Sequence, residues 1–172
     1  IDIILNTLKY WKEKDYLTES EFYILLSSLI DAVALFSNTS GVYGAFYKKL
    51  FPNTQQIFRL TIPRLVESDT KHQVFKEDAN ELVKKLPKFS VLYIDPPYNT
   101  RQYSSNYHLL NLIASFHMIK NLKTYEKNLV GVRGENLEKS FKSKYCSRNT
   151  FEKALNDLVE NAKCRYVLVS YF

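Results

Sequence analysis

Apolar residues recur at helical spacing from the start of the chain. Ile4, Leu5, Leu8 and Trp11 share one face, which predicts a helix over residues 1–12. Thr18 and Glu21 stand three apart just ahead of a second periodic run, the spacing of a capping box. That run, Phe22, Leu25, Leu26, Leu29, Ile30, Val33 and Phe36, predicts a long amphipathic helix, and the turn-forming "SNTSG" at 37–41 ends it. "GVYGAFYKKLFPN" follows and reads as a loop or a short helix. Beyond it the pattern changes to β-branched and aromatic residues. "QIFRLTI" (56–62) and "HQVFKED" (72–78) read as strands, and "ANELVKKL" reads as a short helix.

"KFSVLYID" is a near-continuous apolar run, the kind of strand buried on both faces in a parallel sheet. Residues 103–120 read as helical, with Leu109, Leu110, Leu112, Ile113 and Phe116 as the apolar positions. Periodicity fades over 121–149, which contains Gly131 and Gly134 and reads as a loop. "FEKALNDLVENA" then predicts a helix and "CRYVLVSYF" a second buried strand. Strand, helix, strand, helix, strand in the later half argues for an α/β doubly wound sheet.

Composition narrows the class. At 172 residues with 45% hydrophobic side chains, the chain is long and apolar enough to fold around a core. A net charge of +6 favours a polyanionic partner, although a solvated basic surface accounts for the charge as well. Between Lys120 and Arg148 eight Lys or Arg face three Glu, so most of the excess sits in one stretch. That stretch is either a second phosphate contact or mobile lid, or simply a solvated loop. Cys146 and Cys164 lack a CxxC spacing, and His72, His108 and His117 lack a metal-ligand spacing, so neither a disulfide framework nor a metal site is expected. Nothing resembles a signal peptide. The most apolar stretch, 23–36, is interrupted by Ser27, Ser28 and Asp31, so no membrane association is expected and a soluble cytoplasmic protein is the default. Gly41 and Gly44 follow a helix and not a strand, so they do not read as a cofactor loop.

The most informative stretch is "VLYIDPPYNTRQYSSNYHLL" (91–110). Two prolines end the strand and leave their carbonyls free in a fixed direction beside Asp95. In an open parallel sheet, ligands sit beyond the carboxyl ends of the strands, which is where Asp95, Pro96, Pro97 and Tyr98 fall. A carboxylate beside a rigid carbonyl offers two acceptors to an exocyclic amine. Holding both N–H groups takes the nitrogen lone pair out of conjugation and aims it at an electrophile. Tyr98 offers a ring on which a flipped base stacks, worth roughly 1–3 kcal/mol. A tight turn plugged by an aromatic ring explains a bare Asp-Pro-Pro equally well, but the full arrangement with "NTR" is more specific.

In that context the stretch resembles motif IV of amino-group DNA methyltransferases. It is similar in particular to the adenine-specific methylases of restriction-modification systems, the DNA adenine methylase family. "NTSGVYGAFYKK", "HQVFKEDANEL", "SKYCSRNTFEKALNDL" and "YVLVSY" resemble the same group in the same order, so the likeness covers most of the chain. It implies an α/β fold: an incomplete Rossmann-like S-adenosylmethionine-dependent methyltransferase sheet with a helical insertion near the N-terminus. Residues 1–56 would form the helical, DNA-contacting segment and 57–172 the partial core. The implied reaction moves a methyl group from S-adenosyl-L-methionine to adenine in double-stranded DNA, with a cognate restriction endonuclease acting on the same site as a partner.

Residue by residue, the resemblance implies that Asp95 and the Pro96 carbonyl hold the target amine, that Pro97 shapes the turn and that Tyr98 stacks on the base. Asp78 matches the acid that contacts the cofactor's adenine, and Asp95 also borders the cofactor. Ser170 and Tyr171 match a strand end lining the target pocket, although ordinary strand-end residues would look the same. Asn99, Arg101 and Tyr103 leave the motif toward DNA. Lys48 and Lys49 match a DNA-contacting segment, with Tyr43, Phe46 or Tyr47 as candidate wedges. A loop arginine and a basic helix start with core aromatics are the plainer alternatives for these last groups.

Two departures bear on completeness. The family's Phe-x-Gly-x-Gly cofactor loop and the ribose-holding acid are missing, and so is the usual Asn-Asn-Glu-Gly continuation, with Phe172 standing at its first position. The chain begins with Ile and ends inside an apparent strand, so the expectation is a central and later segment cut on both sides that binds S-adenosylmethionine poorly alone. An RNA or cytosine amino-methyltransferase, or an inactive nucleic-acid-binding fragment, remains open at this point.

Overall fold

Two helices meet where the capping box was expected. Helix α1 (Asp2–Glu13) ends at a turn in which Asp15 takes a left-handed conformation, φ 54°, and helix α2 (Glu19–Phe36) starts at Thr18. The Thr18 hydroxyl accepts the Glu21 N–H at 3.3 Å, and the Thr18 N–H donates to Glu21 Oε2 at 2.8 Å. Each bond satisfies a backbone donor that a helix start otherwise leaves open, and such a cap is worth about 1 kcal/mol. The Thr18 hydroxyl also lies 2.7 Å from Glu21 Oε2, and its hydrogen bond to that oxygen, followed by the bond from the Thr18 N–H, holds the Glu21 carboxyl below its ordinary range. The apolar faces meet as predicted: Leu5 and Leu8 of α1 pack with Phe22, Leu26, Leu29 and Val33 of α2. Buried Ser28 is satisfied within its helix, its hydroxyl donating to the Ile24 carbonyl at 2.9 Å.

The computed structural model describes residues 1–39, 43, 46–97, 100–127 and 142–170. The chain divides into two compact units. The first comprises residues 1–67 and 103–136, and the second comprises 68–102 and 137–172. In the first, helices α4 (Tyr103–Asn106) and α5 (His108–Ser115) are separated at Tyr107, whose φ and ψ of −112° and 22° are not helical. The helix expected over 103–120 is thus two short helices and a 3₁₀ turn, Phe116–Met118. Ile113 joins the α1–α2 core. The stretch read as a loop over 121–149 contains helix α6 (Leu122–Lys127) and a 3₁₀ turn at Lys144–Cys146, while Gly131 and Gly134 lie outside the described residues.

The second unit holds helix α3 (Ala79–Lys85), strand β1 (Phe89–Ile94), helix α7 (Arg148–Asn161) and strand β2 (Cys164–Val169). The two strands run parallel, Phe89 opposite Cys164 and Ile94 opposite Val169. Val83, Ile94 and Leu158 form the core between α3, β1 and α7. The architecture is therefore mixed helix and strand with a small parallel sheet.

Three expectations change. Segments 56–62 and 72–78 form no strand. A strand needs a partner for its N–H and C=O groups, and among the described residues neither segment pairs with another; Val74 is 96% exposed. The third strand of the expected alternation is accordingly absent among the described residues. Nor are the two strands buried on both faces. Val91, Tyr93, Tyr166 and Leu168 are exposed, because the helices cover only the face that carries Ile94. No helix among the described residues is long and apolar enough to cross a membrane.

Candidate active site

The alternation of β1 continues into the turn that follows it. Tyr93 and Asp95 face outward, while Ile94 and Pro96 are buried and Pro97 is half-buried. A strand puts successive side chains on opposite faces, so the carboxylate reaches solvent and the first proline ring is anchored in the core. Among the described residues none donates a hydrogen bond to the Asp95 carboxylate. At the same end of the sheet, the Ser170 N–H donates to the Ile94 carbonyl at 2.9 Å, which sets half-buried Ser170 beside Asp95. Tyr98, Asn99 and Tyr171 lie outside the described residues.

A cavity of about 310 Å³ opens at this end of β1. Asp95, Pro96 and Pro97 line it together with Ala79, Leu82 and Val83 of α3, Leu92 of β1, Tyr145 and Leu158. Its walls are mostly hydrocarbon, and the polar groups are few, the ordinary character of a small-molecule pocket. Asp78 stands one residue before Ala79 as the N-cap of α3. Its Oδ1 accepts the N–H of Asn80 at 2.9 Å and that of Glu81 at 3.3 Å.

Tyr145 in the cavity lining is held by a junction that sequence reasoning did not single out. Asn80 is 3% exposed, and its amide nitrogen donates to the Ala154 carbonyl at 2.8 Å and to Asp157 Oδ2 at 2.6 Å. The Tyr145 hydroxyl donates to Asn80 Oδ1 at 2.9 Å. Burial, and then the charges of Asp78 and Asp157, push the Tyr145 hydroxyl up to about 12, so it keeps its proton and serves as a donor. The helical spacing of Asn80 and Val83 was the available signal: a residue three before a buried valine shares its face.

The segment containing Tyr145 is tied back to the exit of the proline turn. Ser143 N–H donates to Gln102 Oε1 at 2.8 Å, and Gln102 Nε2 donates to the Ser143 carbonyl at 3.4 Å. The Cys146 thiol donates to the Arg101 carbonyl at 3.3 Å, and burial raises its pKa, which disfavours the thiolate. Arg101 itself is exposed and makes further contacts.

Of the residues expected to meet DNA, Lys48, Lys49 and Tyr103 belong to the first unit and Arg101 to the second. Lys48 and Lys49 are exposed on a loop held by Asn38, which donates to the Tyr47 carbonyl at 2.8 Å and accepts the Phe51 N–H at 3.2 Å. Tyr103 is exposed, its ring edge-on to Tyr107. The candidate wedges separate. Tyr43 is 7% exposed and belongs to the core, so it is not available for insertion; Phe46 is 73% exposed; the Tyr47 ring packs on Phe51 at 4.4 Å. Gly41 and Gly44 lie outside the described residues. Among the described residues no group of three or more His, Cys, Asp or Glu is placed to hold a metal.

Comparison with known proteins bears on this geometry. The chain is 38% identical to Modification methylase StsI of Streptococcus sanguinis over 99% of its length and 25% of that protein's. It is 40% identical to Type II methyltransferase M.FokI of Planomicrobium okeanokoites, with the same two shares, 99% and 25%. It is 36% identical to Type II methyltransferase M.NlaIII of Neisseria lactamica over 99% of this chain and 48% of that one. The chain thus spans between a quarter and a half of the length of these relatives. No solved structure matches it significantly. Residues 5–170 match the sequence pattern of one family, and with an exposed Asp95 and buried Pro96 at the carboxyl end of a parallel strand, the chain belongs to the D12 class N6 adenine-specific DNA methyltransferases.

Proposed function

We propose that the protein carrying this chain is a site-specific adenine DNA methyltransferase of a restriction-modification system, paired with an endonuclease that acts on the same site. Its fold is read as part of a Rossmann-like methyltransferase sheet, of which β1 and β2 are two neighbouring parallel strands. The observation that carries the reading is Asp95: an exposed carboxylate at the carboxyl end of β1, on the rim of an apolar cavity and beside a buried proline. Family membership supports it, as do the names of the relatives, which are modification methylases and type II methyltransferases.

S-adenosylmethionine fits the residues present. The cavity of about 310 Å³ is of the size and apolar character that accept one planar ring and a short alkyl chain. Asp78 is assigned to the cofactor's adenine end and Asp95 to its other side. The cofactor supplies an electrophilic methyl group on a sulfonium. Asp95 and the Pro96 carbonyl accept the two N–H groups of the target adenine, so the nitrogen lone pair is no longer shared with the ring. Positive charge would develop on that nitrogen as the new N–C bond forms and the methyl–sulfur bond breaks, the bonding pair going to sulfur to leave a neutral thioether, and the Asp95 carboxylate would stabilise the charge where it appears. The nitrogen would then pass one proton to the exposed Asp95 carboxylate and on to solvent, leaving neutral methyladenine. Pro97 fixes the turn, Tyr98 stacks on the extruded base, and Ser170 and Tyr171 line its pocket. Lys48 and Lys49 neutralise phosphates, and Asn99, Arg101 and Tyr103 approach the duplex.

Methyl transfer from labelled S-adenosylmethionine to duplex DNA, with RNA as competitor, tests this on the full-length protein. Asp95→Ala is expected to lower the rate by on the order of 100-fold or more, as removal of one transition-state contact does. Equal incorporation by variant and wild type would end the assignment of Asp95, and preferential labelling of RNA would change the substrate.

A further inference from the structure

One buried side chain, bonded to the cavity-lining Tyr145, joins three separate elements. Asn80 belongs to α3, its amide nitrogen holds Ala154 and Asp157 of α7, and its carbonyl oxygen takes the Tyr145 hydroxyl at 2.9 Å from the 3₁₀ turn Lys144–Cys146. Its own backbone N–H is bound by Asp78 Oδ1 at 2.9 Å. Asn80 therefore touches both the acid assigned to the cofactor and the aromatic side chain in the cavity wall. A buried amide with all these groups satisfied is a rigid junction, and leaving any of them unpaired in that setting is unfavourable.

Among the described residues the Tyr145 hydroxyl meets one other side chain, Asn80, while the Tyr145 N–H donates to Ser143 Oγ at 3.2 Å and the Tyr145 ring stands edge-on to Phe151. Its hydroxyl also lies 3.3 Å from the Ala154 carbonyl, but the shorter bond goes to Asn80. On either side of Tyr145 the chain is bound to the exit of the proline turn, through Ser143 to Gln102 and through Cys146 to Arg101. The 142–146 segment is thus a clip between the turn that carries Asp95 and the helix that carries Asp78.

We propose that Asn80 and Tyr145 are positioning residues for the cofactor pocket: their bond fixes the part of the cavity wall that Tyr145 forms and the first turn of the helix that Asp78 caps. Asn80 does not line the cavity and Tyr145 does, so the role assigned to the pair is that of the hydrogen bond between them. The inference rests on the proposed methyltransferase reading, and it assigns cofactor affinity to a bond between two protein side chains.

Calorimetric binding of S-adenosylmethionine to the full-length protein tests it, with Tyr145→Phe, Asn80→Ala and the double variant, each checked for an intact thermal transition. Tyr145→Phe keeps the ring and removes one neutral hydrogen bond, so its Kd is expected to rise about two- to tenfold. Asn80→Ala is expected to raise Kd further. The double variant is expected to match Asn80→Ala within about twofold, because both changes break the same bond. The rate at saturating cofactor stays near wild type, so the loss falls on KM and not on kcat, a split that general loosening of the fold would not give. Unchanged Kd in the folded variants, or losses that multiply in the double variant, would overturn the proposal. If Asn80→Ala does not fold, the Kd of Tyr145→Phe decides alone. Absence of cofactor binding by the wild-type protein would remove the methyltransferase reading and this inference with it. Normal wild-type binding with unaffected variants would remove only the inference.

Discussion

The backbone N–H of Ser170 donates to the carbonyl of Ile94 at 2.9 Å, the last rung between the two strands before Asp95. The bond extends the parallel ladder one residue past the last paired position of β2 and keeps the end of β1 from fraying where the proline turn begins. Ser170→Pro removes that donor and leaves the Ile94 carbonyl without it, at a cost of roughly 1–3 kcal/mol. Ser170→Ala keeps the backbone bond and is expected to stay within about 0.5 kcal/mol of wild type. The urea midpoints of the two variants distinguish them. A proline variant as stable as the alanine variant would mean that the rung does not hold the strand end.

On the proposed reading, Lys48 and Lys49 contact phosphates, and phosphate contacts are sequence-blind. Replacing both with Ala should weaken binding to specific and unrelated duplexes alike. It should also make the dependence of log K on log salt shallower by about 1–2, near 0.9 for each phosphate lost. Fluorescence anisotropy over a range of salt concentrations measures this. Asn38→Ala removes the amide that braces the same loop and should weaken binding less, without changing the number of charges. A salt dependence identical to wild type in the double-lysine variant would remove these residues from the interface.

The surroundings of His117 set the sign of a pH dependence expected in the first unit. Its ring stands edge-on to Phe22 at 4.9 Å, and Lys12 lies over the same Phe22 ring at 4.1 Å. Burial, then the Lys12 charge, hold the His117 pKa below its ordinary value of 6.5, with Lys9 adding to the effect. The Ala114 backbone offsets only part of this, since the buried Nδ1 makes no full hydrogen bond. Between 6.5 and the lowered folded value, the unfolded chain binds a proton that the folded chain does not. Stability should therefore be level above pH 6.5 and fall as the pH drops below it. His117→Gln should flatten that part of the profile. Melting temperatures from pH 5 to 8 provide the check, and an unchanged slope in the variant would assign the effect elsewhere.

What the sequence made legible was local. Thr18 and Glu21 announced a cap that forms as spaced, because both bonds lie within four residues. The apolar run before Asp95 announced a strand for the same reason. Residues 56–62 and 72–78 carry strand composition but form none, since a strand exists only with a neighbour and composition does not supply one. Val91 and Tyr93 were apolar enough to read as buried, yet burial depends on what packs above them. The proline turn was readable as a site because its residue types are unusual together. The junction at Asn80 was not, because its partners, the Ala154 carbonyl, Asp157 and Tyr145, lie 65 to 77 positions away. Polar residues in a short helix look solvated until the fold closes over them.

The pairing of Gln102 with Ser143 has a consequence for how such a chain can change over time. It closes a span of 41 positions, and everything the chain does in that span begins and ends at the same two residues. The turn before it and the helix after it are anchored independently of the span's length. Doubling a closed loop costs only about 0.6 kcal/mol in chain entropy. Ile113 ties the start of that span to the first unit's core, but the strand, the proline turn and the Asn80 junction are closed off at Gln102 and Ser143 and do not depend on the span's length. Sequence inside the span and sequence outside it can therefore diverge at different rates on either side of one reciprocal pair of hydrogen bonds.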